Sequence, residues 1–185
     1  GSVTVSLVSN TSSGFDGNDT LISIEGIRGG KAGDVLTGDD NDNTIRGNGG
    51  DDTLDGGAGV DTADYYGAVS GVTVSLLTNT SSGGDGNDSL ANFENINGSF
   101  IHNDSLTGDG GNNRIDGRGG DDTLIGGGGN DTILGGDGLD LVEGGLGDDS
   151  LDGGANDTNL GYDWVKYQNA AGAVQVNLAT GLATG

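Results

Sequence analysis

Aspartate or asparagine recurs at every ninth residue along two stretches of the chain. The first row is Asp34, Asn43, Asp52 and Asp61, and the second is Asn113, Asp122, Asp131, Asp140 and Asp149. Carboxylates held in a row can act as acid–base pairs or can cage a hard cation. Two anions brought close together repel unless a cation sits between them. A cage of six or more oxygens, without histidine or cysteine, selects calcium over zinc. Inflexible main-chain carbonyls favour calcium over magnesium as well. The bland alternative is a set of solvated acidic loops with no metal, and the strict register of the carboxylates argues against it.

The elements that must position these side chains are nine-residue blocks. From Gly108 to Asp152 the chain reads GDGGNNRID, GRGGDDTLI, GGGGNDTIL, GGDGLDLVE and GGLGDDSLD. Glycine opens each block and permits a sharp turn with its carbonyls free. The acidic or amide residue stands sixth, and Ile115, Leu124, Ile133, Val142 and Leu151 stand eighth, inside a segment suited to a very short strand. Each block therefore predicts one turn and one strand, and two blocks make a coil of eighteen residues. Blocks n and n+2 then stack, their strands pair in parallel, and the eighth residues fill a narrow core. Four similar blocks begin at Gly29, Gly38, Gly47 and Gly56, with Leu36, Ile45, Leu54 and Ala63 in the eighth place.

The pattern GGxGxDxUx resembles the RTX (repeats-in-toxin, or haemolysin-type) calcium-binding nonapeptide. The resemblance implies an all-β fold, a right-handed parallel β-roll in two tandem rolls, with each ion shared by turns n and n+2. It also implies the ligands: carbonyls of positions two and four with the sixth side chain from one turn, and of positions one and three with the sixth side chain from the other. The glycines that would present such carbonyls are Gly47, Gly50, Gly56, Gly59, Gly117, Gly120, Gly126, Gly127, Gly128, Gly129, Gly135, Gly136, Gly138, Gly144, Gly145 and Gly147. The implied side-chain pairs are Asp34 with Asp52, Asn43 with Asp61, Asp104 with Asp122, Asn113 with Asp131, Asp122 with Asp140, Asp131 with Asp149, and Asp140 with Asp163. That is about seven calcium ions or more. Asn113 departs from the motif, and its site is expected to be weaker. Asp19 and Asp88 hold the sixth place of two degenerate blocks. The stretch SIEGIRGG also resembles the entry to the β-roll of serralysin-type proteases, which implies Glu25 and its counterpart Glu94 as further ligands, or else as exposed glutamates at a bend.

Composition bounds the reading. The chain has 185 residues, 42 of them glycine, no proline, no cysteine, 31% hydrophobic residues and a formal net charge of −23. So acidic a chain offers no basic surface to nucleic acid or to an anionic membrane. No apolar run is long enough for a transmembrane helix. The aliphatic content is too low for an ordinary globular core, so ions must supply what burial does not.

A longer repeat overlies the short one. VTVSL at 3–7 returns at 72–76 and TSSG at 11–14 returns at 80–83, both at an offset of 69. Asp163, Tyr167, Val174, Val176 and Leu178 repeat Asp61, Tyr65, Val72, Val74 and Leu76 at an offset of 102. The expected division is a first unit at 1–70 with blocks 29–64 and a second at 71–172 with blocks 98–165. Residues 173–185 would start a third unit or form a capping strand. VTVSL reads as a strand, Ser9 to Gly14 as a loop, SIEGIR as a spacer, and Asn156 to Leu160 as an inserted loop. Tyr65, Tyr66, Trp164 and Tyr167 are expected to cover the open ends of the rolls.

These residues point to a non-catalytic, calcium-folded structural module. Family resemblance adds export by type I secretion, a bacterial source and a place outside the cell or on its surface, in an adhesin or other exoprotein. The expected partners are calcium and neighbouring repeats of a longer chain, with the chain itself a monomer. An enzyme is the second reading, but His102 is the lone histidine, and neither HExxH nor GxSxG occurs. A third reading is a polysaccharide-binding module attached to an extracellular enzyme. Ice binding would need a threonine row, and the third positions include Lys31, Asp40, Gly49, Ala58, Gly128 and Leu146 instead.

Overall fold

A computed structural model describes residues 1–15, 17–155 and 162–170, and the backbone of 175–177 and 182–184. The strands run as β1 (Val3–Ser6), β2 (Thr11–Gly14), β3 (Gly17–Thr20), β4 (Gly26–Arg28), β5 (Val35–Thr37), β6 (Thr44–Arg46), β7 (Thr53–Asp55) and β8 (Thr62–Asp64). They continue as β9 (Val72–Ser75), β10 (Thr80–Gly83), β11 (Ser89–Ala91), β12 (Asn95–Asn97), β13 (Ser105–Thr107), β14 (Arg114–Gly119), β15 (Thr123–Gly128) and β16 (Thr132–Asp137). The last are β17 (Leu141–Leu146), β18 (Ser150–Ala155), β19 (Trp164–Val165), β20 (Gln175–Asn177) and β21 (Leu182–Thr184). No helix occurs among the described residues.

Successive blocks alternate between two sheets, as a two-block coil requires. One sheet is ordered β18-β16-β14-β12-β8-β6-β4 and is parallel throughout. The other is ordered β19-β17-β15-β13-β9-β10-β11-β7-β5-β1-β2-β3. Within the block runs the register advances by eighteen residues: Ile115 faces Ile133, which faces Leu151, and Leu106 faces Leu124, which faces Val142. The architecture is the parallel β-roll expected from the repeat. β7 pairs with β11 and β8 with β12, so both sheets run on past residue 70.

The eighth side chains form the core. Leu36, Ile45, Leu54, Ala63, Leu106, Ile115, Leu124 and Ile133 are at most 1% exposed, and Val142 is 3%. Each buried aliphatic contributes about 1.5–3 kcal/mol, and one per block leaves the core a single file.

The structure corrects several local readings. The stretch read as a loop at Ser9 to Gly14 contains β2, antiparallel to β1, and its mostly exposed side chains gave no apolar alternation to read. An equivalent hairpin joins β9 to β10, and β20–β21 repeats it: Thr4 faces Ser13, Thr73 faces Ser82, and Gln175 faces Thr184. The SIEGIR spacer contains β4, which pairs with β6 and buries Ile27. In the second run the strands lengthen to six residues, because the glycine turns pair between coils too, Arg118 with Gly136 and Gly127 with Gly145. Tyr65 is buried where the sheets continue from β8 into β12, so it covers no open coil, whereas Trp164 is exposed on β19. The insertion read at Asn156 to Leu160 lies outside the described residues.

Candidate metal centres

Stacking sets each sixth side chain against the preceding coil in a fixed way. One carboxylate oxygen accepts the main-chain amide of the sixth residue one coil earlier. Asp52 Oδ1 accepts from Asp34 (2.7 Å), Asp61 from Asn43 (2.7 Å), Asp122 from Asp104 (2.7 Å) and Asp131 from Asn113 (2.8 Å). Asp140 accepts from Asp122 (2.9 Å), Asp149 from Asp131 (2.9 Å) and Asp163 from Asp140 (3.0 Å). All seven side-chain pairs expected from the sequence are therefore adjacent. Two more steps carry the ladder across residue 70: Asp88 Oδ1 accepts from Asp52 (3.0 Å) and Glu94 Oε2 accepts from Asp61 (2.8 Å).

The other oxygen divides the turns into two kinds. In the turns of Asp34, Asn43, Asp104 and Asn113 a side-chain oxygen of the sixth residue accepts the amide of the second position. The donors are Gly30 (2.6 Å), Asp39 (2.7 Å), Ser99 (2.6 Å) and Asp109 (2.8 Å). These turns are closed. In the turns beginning at Gly47, Gly56, Gly117, Gly126, Gly135 and Gly144 the second and fourth residues instead take positive φ. They are Asn48 and Gly50, Gly57 and Gly59, Arg118 and Gly120, Gly127 and Gly129, Gly136 and Gly138, and Gly145 and Gly147. In this open form the second oxygens of Asp52, Asp61, Asp122, Asp131 and Asp140 are buried with no hydrogen-bond partner among the described residues.

Position in the stack decides which form a turn takes. Closed turns lead into β5, β6, β13 and β14, which rest on β1, β4, β9 and β12 rather than on another nonapeptide. Open turns rest on a nonapeptide turn below. Every glycine whose carbonyl the sequence reading singled out lies in one of the six open turns. Asn43 and Asn113 sit in closed turns, where an amide oxygen serves the second-position N–H as well as a carboxylate does.

The open turns fit a divalent cation. A buried carboxylate oxygen without a donor is costly unless a positive charge faces it. A Cβ on Gly117 would strike both Asp122 Oδ2 and the Gly135 carbonyl, one on Gly126 both Asp131 Oδ2 and the Gly144 carbonyl, and one on Gly135 both Asp140 Oδ2 and the Gly153 carbonyl. Side-chain and main-chain oxygens thus converge on the same small spaces. No group of three or more His, Cys, Asp or Glu side chains is placed to hold a metal among the described residues, so a cation would have to draw on carbonyls. Burial pushes Asp52 and Asp140 up to about 6 and Asp122 up to about 8, with neighbouring carboxylates adding to the shift.

The remaining candidates lie elsewhere. Asp88 is buried, its Oδ2 accepting from Tyr65 Oη (3.1 Å) and Ser81 Oγ (2.7 Å). Asp19 and Glu25 are exposed at the β3 and β4 edges, and Asp19 accepts from Ser12 Oγ (2.9 Å). Asp85, which the motif did not single out, is also buried and pushed up to about 6 by burial and by Asp88.

A single-file parallel roll with carboxylates and carbonyls converging in its turns defines a cation-binding repeat protein. Residues 28–63, 100–133 and 125–160 match the family described as RTX calcium-binding nonapeptide repeat (4 copies), and the chain belongs to that family. RTX repeats bind calcium, and this is a calcium-binding repeat module. No curated protein matches the chain.

Proposed function

We propose that the chain is a non-catalytic structural module of a secreted bacterial RTX protein, an adhesin or other exoprotein, that folds when it meets extracellular calcium after type I secretion. The observation that carries this reading is the set of buried, donor-less carboxylate oxygens in the open turns. The ligands are the sixth-position carboxylates with the carbonyls of positions one to four in stacked turns. Sites between two open turns are expected to bind most tightly, and those that share the closed turns of Asn43 and Asn113 most weakly.

The magnitudes favour a folding role. With sites of Kd roughly 10⁻⁴ M in roughly millimolar calcium, linkage gives about 1.4 kcal/mol per ion. About seven ions then contribute about 10 kcal/mol, comparable with the whole stability of a domain. At cytosolic calcium that contribution is near zero, which keeps the chain unfolded for export. Circular dichroism with and without chelator tests this, because a strand-rich spectrum indifferent to excess chelator contradicts it. Polysaccharide binding is the second reading, favoured by the exposure of Tyr162 (79%) and of Trp164 (68%) on the edge strand β19. A glycan array in calcium would detect it.

A further inference from the structure

The chain displays one interface twice, once filled and once open. At the passage between the two block runs, Asp88 and Glu94 accept the amides of Asp52 and Asp61. Leu90 and Phe93 are each 5% exposed there, covered on the side of β7 and β8. Sixty-nine residues earlier stand Asp19, Leu21, Ile24 and Glu25, in the same order. Ser12 bonds Asp19 as Ser81 bonds Asp88, and the β2–β3 pairing of Thr11 with Thr20 matches that of Thr80 with Ser89. Their environment differs. Ile24 is 41% exposed, Leu21 is only half-buried, and Asp19 and Glu25 face solvent.

We propose that the edge formed by Asp19, Leu21, Ile24 and Glu25 docks the closing coil of another calcium-repeat roll, of the kind that residues 47–66 form here. Asp19 and Glu25 would accept the amides of that coil's two sixth-position aspartates, as Asp88 and Glu94 do. Leu21 and Ile24 would cover its last core residues. The inference rests on the calcium-folded reading above, and it fixes where and in which register such rolls join.

The test extends the full chain by one in-register copy of residues 2–70 placed ahead of residue 2. In millimolar calcium the added Asp52 and Asp61 then stand opposite the original Asp19 and Glu25. Hydrogen exchange at residues 19–28 of the original unit is expected to slow at least tenfold relative to the parent chain. Adding D19A and E25A to the extended chain leaves the two incoming amides without acceptors and should return most of that rate, while the same pair in the parent chain, where both side chains face solvent, should leave its thermal midpoint within a degree or so. Unchanged exchange at 19–28, with the chelator-sensitive spectrum intact, overturns the docking. A spectrum indifferent to chelator overturns the calcium reading instead, and the docking then stands or falls on the exchange data alone.

Discussion

Asp122 accepts the amide of Asp104 through Oδ1 and keeps Oδ2 buried without a donor. The two oxygens have separate tasks, one tying adjacent coils and the other facing the place where a cation fits. Substitution can separate them. Asp122→Asn keeps an amide acceptor for Asp104 and removes the buried charge, so without calcium it should stabilise the chain, whereas its calcium-bound thermal midpoint should fall by several degrees. Asp122→Ala loses both and should be destabilised under either condition, by about 1–3 kcal/mol for the orphaned amide alone. Calcium titrations followed by circular dichroism on the three proteins check this.

The same burial sets the pH dependence in calcium-stripped buffer. Unfolded aspartates titrate near about 3.9, whereas folding holds Asp52 and Asp140 at about 6 and Asp122 at about 8. Between those values the folded chain binds more protons than the unfolded one, so stability falls as pH rises. The metal-free chain should therefore show more strand at pH 5 than at pH 8. Calcium must displace those protons, so its apparent affinity should rise from pH 6 to pH 8, with proton release detectable by calorimetry in buffers of different ionisation enthalpy.

Much of this was legible in the sequence because the period is rigid. The eighth residues are the core, and the offset of eighteen names six of the seven expected pairs, Asp140 and Asp163 standing 23 residues apart. What the motif could not show is the difference between open and closed turns. Block 108–116 carries Gly108, Gly110 and Gly111, yet its turn is closed, because it leads into β14, which rests on β12. Conversely Arg118 adopts φ 74° in an open turn despite its side chain, with its guanidinium 5.0 Å from the Tyr66 ring centroid. The conformation belongs to the neighbour below as much as to the block itself. Hairpin strand β2 was missed for a related reason, since its pairing with β1 leaves no apolar signature.

Two glycines in stacked blocks should respond oppositely to alanine. Gly127 has φ 109°, and an added Cβ would collide with the Asp109 carbonyl. Gly127→Ala is expected to cost about 1–3 kcal/mol and to weaken calcium binding, because the second-position carbonyl must turn. Gly110 has open space around its Cβ and no positive φ. Gly110→Ala should be neutral or slightly stabilising through the unfolded chain. Thermal melts in saturating calcium distinguish the two.

At the passage between the block runs, Tyr65 donates to Asp88 Oδ2, and Asp88 Oδ1 holds the amide of Asp52. Tyr65→Phe removes a buried donor from a carboxylate that still has Ser81, and should cost about 1–2 kcal/mol. Asp88→Ala removes the acceptor for Tyr65, Ser81 and the Asp52 amide together, and should cost more. Because the ladder crosses residue 70 at Asp88 and Glu94, the loss should not stay local. Hydrogen exchange in calcium is expected to speed up across β7 and β11 alike, while β15 to β17 keep their protection. Exchange that quickens only at residue 88 would mean that the two runs fold independently and merely touch.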